Sequence, residues 1–141
     1  SADIHAHAAA LGLTDRVSHL GAVPYADLHA LTCGADLGLC LIEPVSMSYE
    51  YALPNKLFEY MMARVPCVAT DLPALHDHLL RYPVGILVER GLSPVAIADA
   101  VRRVQQPATI AAMKGACEHV RELAYESTCR AALRLIRDHC V

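Results

Sequence analysis

Apolar positions along the chain fall into short blocks whose spacing alternates between helical and extended periods, with connections of a few residues between them. Residues 3–11 form a helical block that Gly12 stops. Residues 16–20 predict a short strand ended by Gly21, and residues 24–32 a helix with Leu28 and Leu31 on one face. Residues 36–42 are almost continuously apolar, which suits a strand covered on both sides. A loop rich in Ser and Tyr is expected over 43–53, followed by Pro54 at a place where the first turn of a helix tolerates it, and a helix over 55–63. Strands over 65–70 and 84–89 flank a helix over 73–80. Ser93 and Pro94 pair an N-cap with a first-turn proline and open a helix that runs to Val104. Two more helices are expected over 107–122 and 127–140.

Such alternation predicts an α/β fold, a Rossmann-like parallel sheet of about four strands flanked by helices. Open parallel sheets bind ligands beyond the carboxyl ends of their strands, against helix N-termini. The search for a site therefore narrows to 21–23, 43–53, the head of the 55–63 helix, Asp71 and 89–91.

Composition adds bounds. A chain of 141 residues that is 55% apolar and 19% charged is one domain's worth of globular protein, and excludes a disordered one. Its longest strongly apolar run, 37–42, is far short of the ~20 residues a membrane-spanning helix needs. A net charge of −3 argues against a nucleic-acid binder. Residues 1–70 carry three bases (Arg16, Lys56, Arg64) against seven acids, so an anion bound there must rely on backbone amides and helix ends. None of the six cysteines forms a C-x-x-C pair, and three lie in apolar stretches, which reads as free thiols in a reducing cytoplasm. The chain lacks an initial Met and opens in what reads as mid-helix, so a fragment or truncated product is expected.

The segment Ala52-Leu-Pro-Asn-Lys-Leu-Phe-Glu-Tyr-Met-Met62 carries the most chemistry. On a helix Asn55, Lys56 and Glu59 share a face, while Leu57, Phe58, Met61 and Met62 supply a packing side. A carboxylate one turn into a helix at the ligand edge can accept hydrogen bonds from a ribose diol, and the amides before it can hold a diphosphate with Lys56 adding a cation. The same residues also read as an exposed Lys56–Glu59 pair worth a few tenths of a kcal/mol. His5/His7 and His76/His78 raise the question of metal, but residues two apart on a helix point about 200° apart. No metal site and no cofactor are expected. No Gly-x-Ser-x-Gly, Walker loop or Gly-x-Gly-x-x-Gly occurs, which removes the main support for hydrolase, P-loop and dinucleotide readings.

The run from Ala52 to Asp71, with its Glu-bearing helix, turn and Pro-Cys-Val-Ala-Thr strand, resembles the donor-binding segment of group 1 (family 4) glycosyltransferases. The segments 15–28, Ala35-Asp-Leu-Gly-Leu39, Pro83-Val-Gly-Ile-Leu-Val-Glu89 and Tyr125-Glu-Ser-Thr128 are similar to that family in order and spacing, so the resemblance covers nearly the whole chain. It implies the C-terminal, nucleotide-sugar-binding half of a two-domain GT-B enzyme, retaining and metal-independent. By position, Glu59 matches the family residue that bonds the ribose, the backbone at Val23 the stretch that meets the base, and Leu53, Asn55, Lys56 and Leu57 the part that meets diphosphate and sugar.

Three departures from the family pattern stand out. Tyr51 occupies the place of a second Glu, with Glu50 adjacent; Arg64 stands where Gly is usual; and the domain's first two strands, with their basic pair, are absent together with the acceptor domain. The resemblance therefore implies transfer of a sugar from a UDP- or GDP-linked donor to a glycan, lipid or small acceptor, in a cytoplasmic protein. The alternative is a non-catalytic nucleotide-sugar-binding fragment that needs a partner chain. A sugar-nucleotide epimerase half is a further reading, against which residues 55–60 count. With the first two strands gone, strand 16–20 is expected to pair directly with strand 36–42 or with another chain.

Overall fold

The computed structural model of the chain describes residues 2–121. In chain order they form α1 (Ala2–Ala10), a 3-10 turn (Thr14–Arg16), α2 (Tyr25–Cys33), β1 (Gly38–Cys40), α3 (Met47–Tyr51), α4 (Asn55–Met62), β2 (Cys67–Thr70), α5 (Pro73–Arg81), β3 (Gly85–Val88) and α6 (Pro94–Val104). A further helix, α7, covers residues 107–121. The helix expected over 127–140 and the Tyr125–Thr128 match lie outside the described residues.

The sheet is parallel with order β1-β2-β3, and Leu39 stands opposite Val68, which stands opposite Ile86. Every residue of β2 is buried, which explains its unbroken apolar run: a central strand has no solvent face to mark with polar residues. Cys67 and Ala69 point into one core layer with Leu57, Met61, Leu72, Leu75, Leu79 and Val84. Val68 points into the other, with Val88, Ala100 and Val104. Leu57, Leu72 and Leu75 are wholly buried, and each contributes about 1.5–3 kcal/mol by leaving water.

Three strands form where about four were expected. Residues 17–20 follow the 3-10 turn without strand structure, and Leu20 is 65% exposed. A strand needs a neighbour for its amides and carbonyls. β1 pairs with β2 on one side only, and residues 16–20 do not take its other edge, so the direct pairing anticipated from sequence does not occur within this chain. The expected 43–53 loop contains the short helix α3. Ser46 caps it, its Oγ accepting from Tyr49 N–H at 3.5 Å, although no apolar periodicity announces it.

The turn between α4 and β2 explains the unusual Arg64. Val65 N–H donates to the Tyr60 carbonyl at 2.9 Å and Arg64 N–H to that of Met61 at 3.1 Å, the paired bonds of a Schellman helix end. That motif places the residue after the cap in the left-handed region, and Arg64 sits there at φ 58°. Its side chain pairs with Glu118 of α7 at 2.9 Å. Glycine is required at position 38 for another reason: a Cβ there would lie 2.6 Å from the Tyr60 ring, which packs flat on β1 and donates its hydroxyl to the Leu39 carbonyl at 3.2 Å.

Candidate functional site

Leu57 and Met61, one turn apart and both buried, fix the rotation of α4 about its axis. Its outward side then presents Asn55, Phe58, Glu59 and Met62 to α2. Between the two helices lies a groove of about 580 Å³, whose other wall is Tyr25, Leu28, His29 and Thr32. Asn55 and Glu59 thus meet a common space, one turn apart and flanked by an aromatic and a thioether. Lys56 is exposed at the helix head, turned from the groove; its charge reaches the Cys40 thiol at the end of β1, which burial holds above its ordinary pKa and Lys56 draws back down. The Lys56–Glu59 pair does not form: neither side chain has an ion-pair partner among the described residues.

Val23 is half-buried immediately before Pro24, which heads α2. The Leu57 side chain belongs to the core and its N–H donates to the Pro54 carbonyl at 3.0 Å, so this residue holds the helix and offers no side chain to a ligand. Tyr51 is 60% exposed. Glu50 turns from it to bond Arg90 at 2.7 Å.

Polar contacts knit the carboxyl edge of the sheet. The buried Thr70 hydroxyl accepts from Ile42 N–H at 2.7 Å, which ties the end of β1 to that of β2. Arg90 Nε donates to the Asp71 carbonyl at 3.1 Å, and His76 Nδ1 lies 2.8 Å from the Asp71 carboxylate. His78, two residues on, lies between the Phe58 and Tyr82 rings with its Nε2 buried and without a hydrogen-bond partner among the described residues. Burial, with Arg81 second, lowers its pKa from the ordinary value of 6.5. His5 meets His19 edge-on, far from any such cluster in sequence, and no group of three His, Cys, Asp or Glu among the described residues is arranged to hold a metal. Behind the site, burial and the neighbouring Cys40 and Cys117 push the Cys67 thiol up to about 12, so it stays protonated.

Sequence reasoning passed over most of the α2 wall of the groove. Leu28, part of that wall, stands out in the apolar stripe with Leu31, whereas Tyr25, His29 and Thr32 recur at i, i+4 and i+7 without forming a motif. Arg90 lies in the 89–91 stretch at the ligand edge, but nothing local shows that it meets Glu50, forty residues earlier in the chain.

Parallel strands in sequential order, helices on both faces and a groove beside the head of α4 define part of a Rossmann-like domain of the GT-B kind. The sequence profile of glycosyl transferases group 1 matches residues 2–106, and the chain belongs to that family. The fold is similar to that of sucrose-phosphate synthase from Thermosynechococcus elongatus, with TM-score 0.66 and 21% identity. The match covers 97% of this chain and 33% of that one, so the chain spans about a third of its length. Among proteins of curated function, none matches. No helix among the described residues is long and apolar enough to cross a membrane.

Proposed function

We propose that this chain is the donor-binding part of a glycosyltransferase that takes a sugar from a UDP- or GDP-linked donor and, with an acceptor domain outside this sequence, passes it to a glycan, lipid or small acceptor. The observation that carries the reading is the groove between α2 and α4, into which Glu59 presents a carboxylate that no described side chain pairs with. Glu59 accepts from the ribose hydroxyls and Asn55 orients the same unit. The backbone at Val23 meets the base. The amides at the head of α4, with Lys56 beside them, face the diphosphate, where the helix dipole and one cation stabilise the charge that develops on departure. Tyr51 borders the sugar. On this reading the reaction is retaining, needs no metal, and runs in the cytoplasm.

A second reading, a nucleotide-sugar-binding fragment that works only with a partner chain, is favoured by one specific feature. Among the described residues β1 has an open edge, and the large apolar residues Ile4, Leu11, Leu13, Leu20 and Leu31, earlier in the chain, are all exposed. Two further parallel strands beside β1, from another segment or chain, would pair that edge.

Calorimetric titration of the chain with UDP, GDP and their sugar conjugates tests both readings. One nucleotide should bind, and at 100 times its dissociation constant should add ~2.7 kcal/mol to stability. Glu59→Gln should weaken it about tenfold, on the scale of a hydrogen bond to a charged group. Equal affinities for wild type and variant would remove Glu59 from the site. A folded chain that binds none of the ligands favours the partner-dependent reading.

A further inference from the structure

Helix α3 borders the proposed donor site, yet none of its five residues is buried. Its cap bond is long, at 3.5 Å. It packs on α5, and among the described side chains the Arg90 guanidinium bonds it to the sheet. Arg90 Nη1 donates to Glu50 Oε1 at 2.7 Å, while Nε of the same side chain donates to the Asp71 carbonyl at 3.1 Å. One residue at the end of β3 therefore links α3 to the end of β2. Only Ala52, Leu53 and Pro54 separate α3 from α4, so whatever holds α3 also sets where Leu53 and the first amides of α4 stand.

We infer that Glu50 and Arg90 are a positioning pair that fixes α3 and the head of α4, and that Glu50 acts through Arg90 rather than by touching a ligand. The Glu50 side chain is 29% exposed and already takes a short charge-assisted bond. A bare carboxylate at that place would repel an incoming diphosphate, and the guanidinium cancels that repulsion as well as supplying the tether. Tyr51, adjacent and exposed, is left as the side chain that α3 offers outward. The ligand-side consequence rests on the donor-site reading above, whereas the tether itself does not.

The test uses the whole chain as wild type, Glu50→Gln, Arg90→Met, the double variant, and the exchange Glu50→Arg with Arg90→Glu. Two quantities are measured on each, the affinity for UDP and GDP and the hydrogen exchange of residues 43–54. A positioning pair predicts that either single change and the double weaken nucleotide binding by the same factor, about fivefold. Exchange over 47–53 should rise equally in all three, and the charge exchange should restore neither quantity, because a carboxylate at position 90 cannot donate to the Asp71 carbonyl. Additive losses in the double variant, or a loss in Glu50→Gln with unchanged exchange, would overturn the inference and make Glu50 a ligand contact. If the wild type binds neither nucleotide, the reading of this chain as a donor site complete in itself fails, in favour of the partner-dependent one. Exchange then still decides the tether: faster exchange in Arg90→Met supports it, and unchanged exchange refutes it.

Discussion

Residues 2–36 and residues 38–104 are similarly rich in apolar side chains but use them in opposite ways. In the second region Leu57, Leu72, Leu75, Val68 and Val84 are completely buried around β2. In the first, the one buried apolar residue among those described is Ala8, while Ile4, Leu11, Leu13, Leu20, Tyr25 and Leu31 are all well exposed. α2 buries nothing, and α1 packs chiefly on the 3-10 turn beside it. The difference teaches that helical periodicity makes a helix, but burial requires something on the other side. β2 has a strand on each side and a helical layer on each face; the chain before β1 has no sheet beneath it. Ile4, Leu11 and Leu13 there line a common depression with Ala8 and Val17.

That contrast is easiest to break with paired truncations. Leu57→Ala should cost about 2–5 kcal/mol in denaturant unfolding, because the cavity lies where packing on both sides prevents collapse. Leu31→Ala should stay within about 0.5 kcal/mol, as surface changes do. Similar losses at both positions would mean that the N-terminal region is packed in solution. A smaller effect is expected at the α4–β2 turn. Arg64→Gly relieves a left-handed non-glycine residue and gives up an exposed ion pair, so a net gain of about 0.5–1 kcal/mol should appear as a raised denaturation midpoint.

The smallest effect is a pH slope that belongs to the packed region. The folded state holds the His78 pKa below 6.5, so the unfolded chain binds the proton more readily. The stability that neutral His78 preserves is therefore complete above pH 6.5 and declines as pH falls from there through the folded pKa. His78→Phe, which keeps the stacking between Phe58 and Tyr82, should flatten that part of the pH–stability curve. An unchanged slope would assign it to other groups.

Much of the packed region was legible along the chain. β2 lies inside the expected 65–70 strand and α4 inside the expected 55–63 helix, because both combine strong local pattern with a clear stop or start. α6 begins at Pro94 with Ser93 before it, although the Ser93 side chain makes no cap bond. Legibility failed where the outcome depended on a partner. Residues 16–20 read as a strand and form none, because they do not take the open edge of β1 and so have no partner for their amides and carbonyls. α3 forms with a cap and a distant ion pair, neither of which leaves a periodic trace. For the candidate site the same division holds: Asn55 and Glu59 were recognisable from the α4 segment, while Tyr25, His29 and Thr32, and the bond from Arg90 to Glu50, were not.

By itself, then, the order of apolar blocks determined the α/β class, the parallel sheet and the helix that carries Glu59, because each depends on neighbours within a few residues. The tertiary structure decided which periodic segments find something to pack against. It turned Leu57 inward and Glu59 outward by burying one side of α4, opposed α2 to α4 across a groove, and joined Glu50 to Arg90. Those outcomes depend on contacts between segments tens of residues apart, and only the assembled sheet and its two covering layers bring such segments together.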